Sequence, residues 1–287
     1  MKIDIHNHPM WYNYTADRFV ENMDKYGIDK TCLLSWEAPW DEYDPSYSNI
    51  LPFSRECVAI PFEYCVAFAE KYPDRFYIGY CPDPRREDAI PKLVSAYNTY
   101  GVRICGELKL RMMYDNPDAL RFYRKCGELG LAVLVHIDYE FPAASSYPRP
   151  NYWYGGGIEA FGRACEACPE TTFIGHAPGF WAHISGDGKA YKEAYPTGKV
   201  EPGGLLPLYL DKYPNLMCDI SAGSGCRALT RDPEHALAFL TKYQDRILFG
   251  RDYFDNQHIE FLESIPLSGE VKEKIYRKNA ERVLNLS

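Results

Sequence analysis

Eight short apolar runs punctuate the chain: KIDIH (2–6), KTCLLSW (30–36), RFYIGYC (75–81), VRICGELKL (102–110), LAVLVHI (131–137), TTFIGH (171–176), NLMCDIS (215–221) and RILFGRD (246–252). Most are continuously apolar rather than alternating, which predicts strands buried on both faces, as in a parallel sheet. Between them apolar residues recur at a spacing near 3.6. ADRFVENMDKYG (16–27) carries Phe19, Val20 and Met23 on one side and ends at Gly27, and FEYCVAFAEKYP (62–73) stops at Pro73. The same spacing predicts helices over 86–101, 117–130, 158–169, 205–214, 233–244 and 271–286.

Eight strand–helix pairs in 287 residues predict one α/β domain over residues 1–287, a closed (β/α)8 (TIM) barrel. A doubly wound open sheet is the alternative. It has no reason to stop at eight units, and no GxGxxG follows the first strand. Glycine-rich GGGIEAF (155–161) follows a Tyr/Pro-rich loop and lacks the Lys-Ser/Thr of a phosphate cradle. Three connections that follow strands are long, 37–61, 138–157 and 177–204, whereas the turns at the other strand ends are short. In a barrel this asymmetry puts the long loops after strands 2, 5 and 6 on the face where active sites are built.

Composition narrows the partners. Hydrophobic residues at 46% and charged residues at 25% fit a globular chain with a large core. The charge sum, 32 − 40 = −8, argues against a surface for nucleic acid or anionic lipid, and no run reaches the ~18 apolar residues of a membrane span. Of ten cysteines, Cys32, Cys105 and Cys218 lie inside apolar runs, which reads as buried thiols and a reducing, cytoplasmic setting. Cys165 and Cys168 form a single CxxC with no second pair for a zinc ribbon. The first residues lack the charged-then-apolar pattern of a cleaved leader.

The first strand ends His6-Asn7-His8, and residues i and i+2 of a strand share a face. Alone, an HxH is a weak signal, and any one of these histidines by itself reads more readily as a satisfied core or loop residue. Strand 5, however, ends at His136, strand 6 at His176 and strand 8 at Asp252. In a closed parallel barrel those ends converge on one mouth. Imidazoles plus a carboxylate suit a divalent metal with an open position for water.

HNH at strand 1, VLVHID at strand 5, FIGHAPGFW at strand 6, ILFGRDYF at strand 8 and the closing KIYRKNAERVLNL together resemble the amidohydrolase superfamily over nearly the whole chain. The likeness is greatest to its "amidohydrolase 2" branch, which includes aminocarboxymuconate-semialdehyde decarboxylase-like enzymes. The resemblance implies that His6, His8, His136 and Asp252 bind a catalytic divalent metal, most often Zn2+. It places His176 beside the metal's water as acid/base or polarising group, and it gives Asp252 a second role in passing the proton to a leaving group. It implies a small-molecule substrate and, as is common in the branch, a homodimer. Two reactions are open: hydrolysis of a small carbonyl compound such as a lactone or amide, or non-oxidative decarboxylation of a small carboxylic acid. An inactive barrel acting as a binding protein is disfavoured, because the ligand set is complete. A nuclease of the TatD-like branch is disfavoured by the net charge.

Strand 4 departs from the branch. Where a segment like KLHP is common, this chain reads Gly106-Glu107-Leu108-Lys109-Leu110-Arg111. Glu107, Lys109 and Arg111 alternate, so all three are expected at the mouth. Other branches of the superfamily put a Glu or carboxylated Lys on strand 4 to bridge two metals, which makes Glu107 a candidate for a second ion. A Glu107–Lys109 ion pair, or Lys109 and Arg111 clamping a substrate carboxylate, are equally open. Trp11 and Trp181 are candidate pocket walls, and Asp219 and Ser221 are placed to hydrogen-bond the site. His183 and His258 fall in loops after strands 6 and 8, and His235 reads as structural on an outer helix. Arg251 replaces the small Thr or Ser of relatives and is expected to face outward beneath the last helix.

Overall fold

The computed structural model describes residues 1–42, 59–138 and 153–286. Most of the long connections expected over 37–61 and 138–157 lies outside the described residues. Among those described, each apolar run contributes one strand: β1 (Ile3–Asn7), β2 (Lys30–Leu33), β3 (Phe76–Ile78), β4 (Ile104–Leu108), β5 (Ala132–His136), β6 (Phe173–His176), β7 (Leu216–Asp219) and β8 (Ile247–Leu248). All pairings are parallel and sequential, in two ladders, β1-β2-β3 and β4 through β8.

Backbone bonds join both seams. Gly79 bridges Ile104, and Arg103 N–H donates to the Ile78 carbonyl at 2.9 Å. On the opposite side Ile5 N–H donates to the Phe249 carbonyl at 2.9 Å and Asp252 N–H to the His6 carbonyl at 2.8 Å. The strands therefore form the expected (β/α)8 barrel. They are shorter than the apolar runs that encode them, because the last residues of each run leave the ladder and form the rim.

The helices follow their signals. Helix α1 (Ala16–Tyr26) begins at Thr15, whose hydroxyl accepts from Arg18 N–H, and ends at Gly27 with φ 64°, a conformation open to glycine. Helices α2 (Phe62–Lys71), α3 (Ala89–Tyr100), α4 (Pro117–Glu128) and α5 (Gly157–Ala167) lie where the periodicity puts them. So do α7 (Leu205–Lys212) and α9 (Pro233–Lys242). The final helix runs without a break from α11 (Gly269–Glu273) through a π turn over Lys274–Lys278 into α12 (Asn279–Val283).

Three short helices carry no clear periodic signal: α6 (Pro178–Trp181), α8 (Ala222–Thr230) and α10 (Gln257–Ser264). They follow β6, β7 and β8, and α6 and α8 are glycine-containing, so tertiary packing holds them more than propensity does. No helix among the described residues is long and apolar enough to cross a membrane.

Two apolar clusters make the core. One fills the barrel with Ile3, Ile5, Leu34, Ile104, Leu134, Ile174, Met217 and Leu248; the larger lies between strands and helices. On β5, His136 stands two residues beyond Leu134, and on β6, His176 stands two beyond Ile174. These histidines are thus the next step of the inward-facing rows, where packing gives way to the mouth. On β1 and β4 the register shifts between Asp4 and Asn7 and between Cys105 and Leu108. His6 and Glu107 sit inside those irregularities, which re-aim side chains beside a site.

Candidate metal centre

Hydrogen bonds fix the first two histidines. His6 Nδ1 lies 2.6 Å from Asp219 Oδ2, and His8 Nδ1 lies 3.0 Å from the Leu34 carbonyl. A carboxylate and a carbonyl only accept, so both Nδ1 atoms carry a proton, and with the rings neutral, as a metal ligand requires, both Nε2 atoms present lone pairs. Those two lone pairs stand 3.3 Å apart in a fully buried site. Carboxylate oxygens crowd the same point: Glu107 Oε2 and Asp252 Oδ1 are each 3.4 Å from His8 Nε2 and 3.9 Å from His6 Nε2.

Four acceptors facing one another repel unless a cation sits among them. Ligands on a tetrahedral zinc at roughly 2.0–2.1 Å are themselves roughly 3.4 Å apart. The observed 3.3–3.9 Å spacings match that requirement, so the residues fit a divalent ion.

The other two histidines are held differently. His136 turns Nδ1 to Glu107 Oε1 at 2.7 Å; its Nε2 is buried without a hydrogen-bond partner, 3.8 Å from Asp138 Oδ2. His176 Nδ1 contacts Ser221 Oγ at 3.1 Å, and that hydroxyl donates to Asp219 Oδ2 at 2.9 Å. His176 therefore donates through Nδ1 and presents Nε2 as a lone pair, 3.9 Å from Glu107 Oε1 and 3.8 Å from Asp252 Oδ2. Asp252 itself has a φ of 50°, and Ala177 beside His176 has 82°. Non-glycine residues held in the left-handed region cluster at functional sites.

The electrostatics agree. Burial alone would depress the His6 imidazole, yet Asp219, Asp252 and Glu107 together raise it to about 10. Burial likewise opposes the rise at His8, which Asp252 and Glu107 produce. Glu107 is held well below the usual carboxylate range against its burial by His136, His8 and His6, and Asp219 and Asp252 are lowered in the same way. His176 is depressed by burial and by His6. The buried carboxylates thus demand positive charge at the centre.

Around the rim, Trp11 packs 5.2 Å from the His8 ring, where a pocket wall was expected, and Trp36 packs 5.6 Å from it. Lys109 Nζ lies 5.1 Å and Arg111 Cζ 5.9 Å from the Tyr154 ring, itself 5.5 Å from His136. Among the described residues Arg111 Nε is buried with no hydrogen-bond partner. Glu107 pairs with histidines, and Lys109 Nζ lies 6.0 Å from the Trp36 ring and 5.1 Å from the Tyr154 ring.

Some expectations need correcting. Trp181 is no pocket wall: only 1% exposed, its indole N–H donates to the Asp219 carbonyl at 2.8 Å and steadies the end of β7. Arg251 does not face outward. It is buried, with Nε 2.9 Å from Asp4 Oδ2 and a terminal nitrogen 2.8 Å from Asn22 Oδ1. His258 lies in α10 rather than a loop, with Nε2 3.1 Å from the Ala222 carbonyl.

Sequence reasoning passed over Trp36, Tyr154 and Asp138. Only Asp138 carried a usable signal, its spacing of two from His136. Asp219 and Ser221 stand where expected, joined to His6 and His176.

No curated protein matches the sequence. Solved structures do match over nearly the full length. An uncharacterised TIM-barrel protein from Bordetella bronchiseptica is 17% identical with a TM-score of 0.68, covering 99% of this chain and 98% of that one. A dihydroxybenzoic acid decarboxylase from Polaromonas, with bound manganese and the inhibitor 2-nitroresorcinol, is 18% identical with a TM-score of 0.64 over 99% and 97%. A probable 2-pyrone-4,6-dicarboxylic acid hydrolase from Acinetobacter baumannii, with citric acid bound, is 12% identical with a TM-score of 0.60 over 99% of both chains. These likenesses establish the barrel, and the histidines and carboxylates at its mouth are those the sequence motifs single out. The family model described as Amidohydrolase matches residues 3–286, and this chain belongs to that family.

Proposed function

We propose that the protein is a metal-dependent hydrolase of a small carbonyl compound, a lactone, an amide or a related ring. The observation that carries this reading is the pair of Nε2 lone pairs on His6 and His8, 3.3 Å apart and flanked by Asp252 and Glu107 oxygens. His6, His8, His136 and Asp252 would hold the ion, and the imidazole-rich set suits Zn2+. When bound, a divalent ion supplies Lewis-acid polarisation and acidifies water to a pKa of about 7.

The chain's own groups do the rest. Asp219 and the Leu34 carbonyl keep Nε2 of His6 and His8 aimed inward. Asp252 takes the proton of the attacking water and returns it to the leaving group, and its second oxygen faces His176. The imidazole of His176, held by Ser221, exchanges a proton with, or polarises, the substrate oxygen on which charge develops.

The second reading is non-oxidative decarboxylation on the same centre. Lys109 and Arg111 beside Tyr154, with Arg111 Nε buried and unpartnered, favour a substrate that carries a carboxylate. The structural relatives include both a decarboxylase and a probable hydrolase. Incubation with lactones and with aromatic and aliphatic carboxylates, following acid release against evolved CO2, separates the two. Chelated protein that keeps its full rate overturns both.

A further inference from the structure

We propose that Arg85 and Glu42 are positioning residues that hold Arg111 in place to receive a substrate carboxylate at the mouth. This deepens the carboxylate-bearing substrate of the second reading above and rests on it.

Arg111 lies three residues beyond the end of β4 at Leu108, where no strand ladder fixes it. Its peptide groups are held from two sides instead. The N–H donates to Glu42 Oε2 at 2.8 Å, and the carbonyl accepts from Arg85 Nη1 at 3.4 Å. Glu42 ends the short turn Trp40–Glu42 after β2, and Arg85 follows β3. The ends of three neighbouring strands therefore meet at this one residue.

Arg85 is itself locked before it reaches them. Its backbone N–H donates to Asp83 Oδ1 at 3.1 Å, and Nε and Nη2 fork onto the two Asp83 oxygens, each at 2.8 Å. Nη1 is thereby aimed at Glu42 Oε1, 2.6 Å away. A rigid planar fork can join two carboxylates in this way, and an ammonium cannot.

Charge gives the arrangement its consequence. Glu42 and Asp83 are 8% and 4% exposed, and Arg85 pairs with both. Among the described residues no carboxylate pairs with the Arg111 guanidinium, whose Cζ stands 5.9 Å from the Tyr154 ring, itself 5.5 Å from His136. Without Arg85, two buried carboxylates lose their cation, and Arg111, already bonded to Glu42 through its backbone, is drawn to them. Arg85 thus keeps those acids from competing with the substrate for Arg111.

The test uses the full chain loaded with Zn2+, titrated calorimetrically with benzoate and with benzamide, its uncharged counterpart. Arg111→Ala should weaken benzoate binding about 10- to 100-fold, and Arg85→Met and Glu42→Ala about 10-fold each, with benzamide unchanged in all three. Arg85→Lys, which keeps a charge beside the buried acids but cannot fork, should lose less than Arg85→Met and serves where that variant does not fold. The double variant Arg85→Met with Arg111→Ala should bind benzoate no more weakly than Arg111→Ala alone, because Arg85 acts through Arg111.

Equal losses for benzoate and benzamide, or additive losses in the double variant, make the cluster a brace of the fold and overturn the proposal. Full benzoate affinity in Arg85→Met, with Arg111→Ala weakened, overturns it too and leaves the carboxylate reading standing. No preference for benzoate over benzamide in the unsubstituted protein, with Arg111→Ala without effect, overturns that reading and the proposal with it.

Discussion

The two walls of the mouth are built to different rules. On the side formed by β6, β7, β8 and β1 every ring nitrogen away from the centre is already committed: His6 to Asp219, His8 to the Leu34 carbonyl, His176 to Ser221. Behind them the Asp4 carboxylate accepts from Arg251 Nε, the Arg251 backbone N–H and the His6 backbone N–H, so it splices the first strand to the last. On the β4–β5 side, His136 Nε2 and Arg111 Nε are buried without hydrogen-bond partners among the described residues. Buried polar groups are ordinarily satisfied, so the committed rings of the first wall are preorganised by the protein, and the open atoms, Asp252 Oδ1 there and His136 Nε2 and Arg111 Nε opposite, are left for what binds. The difference teaches where to look for affinity and where for specificity.

That contrast can be broken by substitution. The largest effect is expected at the ligands. Asp252→Ala or His6→Ala should remove turnover by several orders of magnitude and release metal while the barrel stays folded, checked by steady-state kinetics with elemental analysis; a near-normal rate in either removes the centre from the mechanism.

Arg251→Met comes next, because it leaves Asp4 charged and buried. It should cost about 3–5 kcal/mol of stability, measured by denaturant unfolding. A change under about 1 kcal/mol would mean the splice is not what holds the rigid wall.

Asp219→Asn should weaken metal binding about 10- to 100-fold with little effect on folding, since the carboxylate only orients His6 and His176. Competition with a chelator reads this out.

On the other wall, Arg111→Ala should raise KM for a carboxylate substrate about 10- to 100-fold, the equivalent of a charged hydrogen bond, with kcat nearly unchanged. A fall in kcat at constant KM would move Arg111 from recognition to chemistry.

A pH profile supplies a reference outside both walls. His183 is buried and its pKa is lowered to about 4, so the unfolded chain binds its proton first. Its stabilising contribution is present above pH 6.5 and is lost as pH falls from there toward about 4. His183→Gln should flatten that part of the stability curve, followed by thermal melts across the range.

The eight strands, the eight expected helices and the strand-end positions of the histidines were legible from local pattern. Continuous apolar runs read as buried strands, and Thr15 or Gly27 mark helix ends by chemistry that needs no tertiary context. His136 and His176 were legible as the polar step that ends an inward row. Less legible were α6, α8 and α10, whose short and partly glycine-containing segments gain helical structure from packing. Arg251 and Trp181 were misread for a related reason. Arginine and tryptophan each suit surface or interior, and only the carboxylate of Asp4 and the carbonyl of Asp219 decide between them.

By itself, then, the sequence determined a parallel barrel and the histidines and carboxylate that crown four of its strands, because period and residue type are properties of neighbours along the chain. Tertiary structure alone decided which nitrogen of each imidazole faces inward and that Glu107 turns one oxygen to each pair of histidines. Those facts depend on partners up to 213 residues away and on register shifts in β1 and β4, which no local pattern encodes.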